Sequence, residues 1–137
     1  MATELSWSAA LDWAFARPRT ATLATTLADG SPLATPVWVA RDGDRIVFNT
    51  GADTAKGRAL RRDPRVALSF DDERPPFSFV TELDEDPERL VRWASEIGGR
   101  YMGAEHAEDY GRRNGVPGEL LVVVTPTRVI GALDIAE

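Results

Sequence analysis

The chain has 137 residues, of which 43% are hydrophobic, and its formal net charge at pH 7 is −6. This length predicts a single domain over residues 1–137 that buries about two thirds of its unfolded surface. The sequence contains no cysteine, which excludes disulfides, thiolate metal sites and a cysteine nucleophile. Because a net negative chain repels polyanions at long range, the charge argues against nucleic-acid and anionic-membrane partners.

The first residues lack a basic region followed by an apolar run, and the sequence contains no stretch of eighteen consecutive apolar residues. We therefore expect a cytoplasmic protein that is neither exported nor bound to a membrane. The lack of cysteine is consistent with a reducing compartment.

The first third of the chain predicts one helix followed by three strands. Residues 6–16 place apolar side chains at helical spacing. Residues 20–27 and 33–40 then predict two strands joined by the hairpin signal Ala-Asp-Gly-Ser. A further turn at residues 41–44 leads into a strand from Ile46, so we expect a three-strand meander.

A strand, a turn and a short basic helix share residues 45–65. Asp53 or Thr54 can cap this helix, and its first turn carries Lys56. The unpaired N–H groups and the dipole at such a helix start attract anions. From the cap onwards the segment holds five basic and two acidic residues, so positive charge is concentrated here. The segment therefore predicts a phosphate-binding element.

The same charges are also typical of the solvated face of an ordinary surface helix. Lys56 is the single lysine among sixteen basic residues. A compact point charge at a helix start suits a phosphate ligand. Both interpretations stay open on the residues alone.

The rest of the chain predicts two helices among further strands. Asp86 and Pro87 begin a helix that we expect Gly98 and Gly99 to stop, and residues 104–114 predict a more polar helix. Strands are predicted over these segments: residues 66–70, 77–81 and 120–124, with 127–132 extending the sheet. Six or seven mostly antiparallel strands with flanking helices predict a mainly β fold, a small barrel.

Classical catalytic constellations are absent from the sequence. His106 is the only histidine, which excludes a His-based triad, and its acidic neighbours predict an exposed position. The acids between Asp71 and Glu88 fall in turns and at a helix start, where charge is normally solvated rather than metal-bound. No GxGxxG fingerprint is present. Any redox chemistry would then come from a bound cofactor.

Three segments of the chain resemble a known family: FNTGADTAKGRALRRDP, TATLATTLADGSPLATPVWV and GGRYMGAEHAEDYGRRNGVPGELLVVVTPTRV. In order and spacing they are similar to the pyridoxamine 5'-phosphate oxidase-like, FMN-binding split β-barrels. They are most similar to the deazaflavin-dependent branch, which uses coenzyme F420. The resemblance implies a split β-barrel of six to seven strands, homodimeric, with cofactor sites at the subunit interface.

The resemblance also implies which residues bind the cofactor: two strands would flank its ring and the helix start would hold its phosphate. The implied cofactor-binding residues are Pro36, Val37, Trp38, Phe48, Asn49, Thr50, Thr54, Ala55, Lys56 and Arg58. Trp38 would either line the substrate side or be a buried core residue. Arg100 and Tyr101 would reach the pocket of a partner subunit. No catalytic side chain is assigned, because the cofactor carries the chemistry.

Ala55 favours coenzyme F420 over FMN. FMN-dependent relatives commonly carry Ser-Arg-Lys here, in which the arginine adds a charge-assisted contact to the terminal phosphate dianion. Alanine leaves one lysine for the singly charged phosphodiester of F420, with Arg58, Arg61 or Arg62 for the carboxylates of its tail. Arg58 could instead replace the missing arginine, so FMN stays the alternative cofactor.

The implied activity is hydride transfer between F420 and a small conjugated acceptor, such as an enone, a quinone or a tetrapyrrole. The alternatives are an FMN-dependent oxidoreductase, a non-catalytic carrier of F420 or FMN, and a small RNA-binding barrel that uses its basic helix. Pyridoxamine-phosphate oxidation is not expected, because the family's long substrate-binding C-terminal segment is missing. Relatives usually continue the strand after Thr81 through a Val-x-Gly-x-Ala stretch, so we expect that strand or its turn to be shortened.

Overall fold

The structure is a computed structural model that describes the backbone of residues 3–4, 6–70, 77–128 and 132–133, and the side chains of 6–70 and 83–126. Its strands are β1 (Thr3–Glu4), β2 (Ala21–Thr26), β3 (Pro32–Val37), β4 (Ala40–Asp42), β5 (Arg45–Gly51), β6 (Arg65–Phe70), β7 (Phe77–Asp84), β8 (Glu119–Arg128) and β9 (Ala132–Leu133). Its helices are α1 (Trp7–Ala14), α2 (Ala55–Arg62), α3 (Pro87–Met102) and α4 (Ala107–Asn114), with a 3-10 turn at Ala104–His106.

Within these ranges, seven strands form one antiparallel sheet in the order β3-β2-β6-β7-β8-β5-β4, and β1 pairs with β9. The two edge strands, β3 and β4, are consecutive in the chain and joined only by Trp38 and Val39. Two residues bridge at most about 11 Å between the flanking Cα atoms, so the edges of the sheet must meet at this corner. The sheet is therefore curled into a barrel that hydrogen bonds do not close, which confirms the predicted mainly β, split-barrel architecture with flanking helices.

The predicted meander is wrong, because the segment 33–40 is divided between opposite edges of the sheet. Its first part, β3, pairs with β2, whereas its end belongs to β4, which pairs with β5. Between them, the backbone N–H of Val39 donates to the hydroxyl of Tyr101 on α3, at 3.2 Å, instead of joining a strand ladder. The alternating pattern runs through the corner, so it carries no sign of the change of partner.

Two strands run further than the sequence predicts. β7 continues beyond Thr81 to Asp84, because Glu82, Leu83 and Asp84 stay paired with the apolar residues 121–123 of β8. Only Glu85 and Asp86 then connect β7 to α3. β8 passes through Pro126 to Arg128, and the rest of the predicted extension is β9 together with positions outside the described residues.

Two apolar clusters lie on the two faces of the sheet. Side chains alternate along β5, so Phe48 contacts the cluster that includes Leu11 of α1, whereas Val47 contacts the cluster under α3. Trp93 and Ile97 supply the α3 side of the second cluster. Helices α1 and α3 thus pack against opposite faces of the sheet.

The prediction that α3 stops at Gly98-Gly99 is wrong, because the helix continues to Met102. A Cβ atom on Gly98 would overlap the side chain of Tyr110 on α4, lying 2.9 Å from its Cδ2. The glycine therefore allows α4 to approach α3 closely, which is a packing role and not a helix stop.

We expect Gly98→Ala to lower the free energy of unfolding by about 1–3 kcal/mol, the usual range for overpacking. Gly99→Ala is the matched control, because its Cβ would lie 3.0 Å from the Cβ of Ala107 and the gain in helix propensity, about 0.5–1 kcal/mol, offsets that tight contact. Urea unfolding of both variants measures the difference. Equal stability of the two variants would contradict the close α3–α4 contact.

Candidate functional site

A cavity of about 300 Å³ lies where the corner after β3, the start of α2, and helices α3 and α4 come together. Its lining residues are Pro36, Val37, Trp38, Asn49, Lys56, Ala94, Ile97, Gly98, Tyr110 and Asn114. We name it the lysine cavity. Its volume is at the lower end of the range for small-ligand pockets, roughly 300–1,000 Å³.

One wall of the lysine cavity is aromatic. Trp38, whose surface is 38% exposed, stacks on Tyr101 with ring centroids 5.0 Å apart and planes 3° from parallel. The hydroxyl of Tyr101 donates to the carbonyl of Arg19 and accepts from Val39, so the stack is fixed in place. The exposure excludes the alternative in which Trp38 is a buried core residue, and the flat wall suits a planar ring.

Asn49 brings an unpartnered amide to the same cavity. Both side-chain atoms, Nδ2 and Oδ1, are buried and make no hydrogen bond to any group in the described part of the chain. Nearly all buried polar atoms in proteins have a partner, so this donor and acceptor are available to a ligand. A heterocycle with a donor and an acceptor on one edge matches them.

The turn before α2 is organised by Thr54. Its hydroxyl accepts from the N–H of Gly57 at 3.0 Å and donates to the carbonyl of Gly51 at 2.8 Å. The side chain is therefore the N-cap of α2, as predicted, and its single proton is committed to the backbone.

Lys56, in the first turn of α2, is half-buried and directed to the lysine cavity. Burial lowers the pKa of its ammonium group, and the charge of Glu119 opposes that effect. Burial likewise raises the pKa of Glu119, opposed by Lys56. Lys56 and Glu119 are therefore two oppositely charged groups near the start of α2 that are both partly removed from water, although only Lys56 lines the cavity.

A second cavity, of about 380 Å³, borders another face of α2. Its lining residues are Leu27, Ala28, Asp29, Ala55, Arg58 and Arg62. We name it the arginine cavity. Arg58 donates to the carbonyl of Asp53 at 2.9 Å, and Arg62 to the carbonyl of Thr26 at 3.5 Å. The basic residues of α2 therefore line two cavities: Lys56 lines the lysine cavity, and Arg58 and Arg62 line the arginine cavity.

The structure divides the predicted site residues among four places. Those in the lysine cavity are Pro36, Val37, Trp38, Asn49 and Lys56. Ala55 and Arg58 line the arginine cavity, and Thr54 caps α2. Phe48 and Thr50 are buried on the opposite face of β5 and line neither cavity. Their backbone groups belong to the ladder with β8.

Sequence reasoning missed the helical side of the lysine cavity, which is formed by Ala94, Ile97, Gly98, Tyr110 and Asn114. The signal that could have found it is the glycine pair inside an apolar helical pattern, which marks a close approach. Tyr101 and Arg100 bond within their own chain, the latter to the carbonyl of Arg17 at 2.8 Å. No motif in the sequence marks Glu119.

His106 is exposed, as predicted, and lines neither cavity. Among the residues for which placement is described, no group of three or more His, Cys, Asp or Glu could hold a metal ion. The same part of the chain has no helix both long and apolar enough to cross a membrane.

The fold is a small split barrel, and the lysine cavity lies between the corner of its sheet and its flanking helices. The chain belongs to the pyridoxamine 5'-phosphate oxidase family, whose sequence profile matches residues 8–131. Among curated proteins, no sequence matches the chain.

Solved structures show the same fold. A conserved hypothetical protein from Mycobacterium tuberculosis is 30% identical, with a TM-score of 0.74 over 93% of this chain and 85% of that one. An F420 reductase is 25% identical, with a TM-score of 0.66 over 85% of this chain and 92% of that one. HutZ, the haem storage protein from Vibrio cholerae, is 15% identical with a TM-score of 0.68, over 93% and 96% of the two chains. At that identity the last similarity concerns the fold alone.

Proposed function

We propose that this protein is an F420-dependent oxidoreductase that transfers a hydride between the deazaflavin and a small conjugated acceptor, such as an enone, a quinone or a tetrapyrrole. The observation that carries the proposal is the lysine cavity, where a stacked aromatic wall, an unpartnered amide and a helix-start lysine line one space. The similarity to an F420 reductase supports it. When bound, F420 supplies the two-electron redox chemistry.

The residues of the lysine cavity fit the parts of such a cofactor. Asn49 offers a donor and an acceptor to the polar edge of the ring, and the Trp38–Tyr101 stack limits the space on one side. Lys56 provides the charge for a phosphodiester at the start of α2. Trp38 would line the side on which a hydride acceptor binds.

The arginine cavity favours F420 over FMN, the alternative cofactor. The tail of F420 carries carboxylates, and Arg58 and Arg62 line a space next to the phosphate-binding helix start. Ala55, at the same place, provides no second cation for a terminal dianion. From the family resemblance we also propose that the protein is a homodimer in which each subunit completes the other's cofactor site.

Haem-binding proteins share this fold, but no observation favours haem here. His106, the only histidine, is exposed on the 3-10 turn, so neither cavity contains an imidazole. A non-catalytic carrier of F420 would use the same cavity without turnover, so a measurement of turnover distinguishes the oxidoreductase from the carrier.

We expect F420 to bind more tightly than FMN and to quench tryptophan fluorescence through Trp38, the only one of the four tryptophans that lines the lysine cavity. Parallel titrations of the wild type and Trp38→Phe measure both effects. The variant keeps an aromatic ring on Tyr101, so it should lose most of the quench and retain binding within about threefold, less than 1.4 kcal/mol.

Anaerobic mixing with reduced F420 and a panel of enones, quinones and tetrapyrroles then tests turnover. Reoxidation above the protein-free rate supports the oxidoreductase. Tighter binding of FMN would overturn the cofactor assignment, and tight F420 binding without reoxidation by any acceptor would favour the carrier.

A further inference from the structure

Glu119 lies beside the start of α2, although it is distant in sequence. It is the first residue of β8 and pairs across the ladder with Gly51, the last residue of β5. A Cβ atom on Gly51 would lie 3.8 Å from Oε1 of Glu119 and 3.0 Å from the Cγ2 of Thr54. The carboxylate therefore occupies the space over the glycine, next to the residue that caps the helix.

Glu119 also lies on the face of the sheet that borders the lysine cavity. Alternate residues share a face, so Asn49 and Gly51 of β5 lie on the same side as Glu119 and Leu121 of β8. Asn49 lines the lysine cavity, and Leu121 belongs to the apolar cluster under α3. Along this row the surface changes from apolar to polar, and the carboxylate stands at the polar end.

The charge of Glu119 acts on Lys56, and both groups are partly buried. An anion held by Lys56 at the helix start is therefore repelled by a neighbouring carboxylate that solvent screens only in part. The repulsion is proportional to the anion's charge, so it is twice as large for a terminal phosphate dianion as for a phosphodiester. Asp53, at the same turn, is exposed and adds a screened charge of the same sign.

We propose that Glu119 is a specificity-determining residue that restricts the anion at Lys56 to a single negative charge, and so selects a phosphodiester over a terminal phosphate. This inference rests on the proposed function, because it concerns the anion of the same site. It goes beyond the absence of an arginine at position 55, since it assigns the discrimination to a residue that repels the wrong ligand.

The test is Glu119→Gln, which keeps the shape of the side chain and removes its charge. Fluorescence titrations with FMN, riboflavin and F420 compare a terminal phosphate, no phosphate and a phosphodiester. We expect FMN to bind about tenfold more tightly to the variant, F420 about threefold, and riboflavin unchanged, as a charge effect of roughly 1.4 kcal/mol predicts for the dianion. Glu108→Gln is the matched control, because Glu108 is exposed and pairs with Arg112 on α4.

An FMN gain in Glu119→Gln that exceeds the riboflavin gain, and is absent from Glu108→Gln, supports the inference. Equal changes for FMN and riboflavin, or no change while wild type binds F420, overturn it and leave the proposed function intact. A wild-type protein that binds none of the three ligands overturns both. Circular dichroism melting of each variant confirms the fold, and Glu119→Ala repeats the test with a smaller side chain.

Discussion

Replacing Lys56 by methionine is expected to weaken F420 binding roughly tenfold to a hundredfold, because a hydrogen bond to a charged group contributes about 1.5–3 kcal/mol. Methionine retains an apolar stem along the lysine cavity. The ligand-free protein should not lose stability, since burial is the larger influence on the lysine and opposes its charged form. Fluorescence titration and urea unfolding of the variant measure the two effects.

Arg61→Met provides the matched control for that experiment. Arg61 is on the same helix, but its guanidinium pairs with Glu85 and lines neither cavity. Its replacement makes the same change in net charge and should leave F420 affinity within about threefold, less than 1.4 kcal/mol. A folded Lys56→Met protein with unchanged affinity, or equal losses in both variants, would return α2 to the solvated-face interpretation.

Gly57→Ala is expected to destabilise the protein by about 3 kcal/mol, the upper part of the range for overpacking. A Cβ atom at this position would overlap the carbonyl oxygen of Gly51 and lie 2.8 Å from that of Ala52, and backbone atoms cannot rotate away. Helix propensity alone predicts the opposite sign, a gain of roughly 0.5–1 kcal/mol. The sign of the change in the free energy of unfolding, measured with urea, therefore decides between overpacking and helix propensity.

Ala55→Gly measures the effect of helix propensity alone, because Ala55 is exposed at the start of the same helix. We expect this substitution to lower the free energy of unfolding by roughly 0.5–1 kcal/mol. A Gly57→Ala variant as stable as the wild type would show that the first turn of α2 does not pack closely against the end of β5. The lysine cavity would then lack the support that positions Lys56.

The sequence predicted features whose causes lie within a few residues. Thr54 and Asp86 each cap the helix that follows, as their side-chain acceptors indicate. The β2–β3 hairpin follows from its turn residues. A phosphate-binding helix start could be proposed on the same local grounds, and the family resemblance placed it in a split barrel.

Features that depend on distant partners were not predictable in this way. The change of sheet edge at Trp38 depends on which strands meet β3 and β4, and the continuation of α3 through Gly98 depends on Tyr110. Alternation along β5 separates Phe48 from Asn49, but only the position of α3 decides which of the two faces the cavity. Glu119 carried no signal, because its significance comes from the strand beside it.

The pairing of β5 with β8 has a consequence for how this protein folds. Gly51 and Glu119 lie half a chain length apart, so their contact requires closure of a long loop that includes α2, α3 and α4. Such a topology has high contact order and is slow to form. Residues 45–65 can form α2 early, but the other side of the lysine cavity, which α3 and α4 supply, is absent until the loop closes. The lysine cavity is therefore completed in the same late step as the barrel itself.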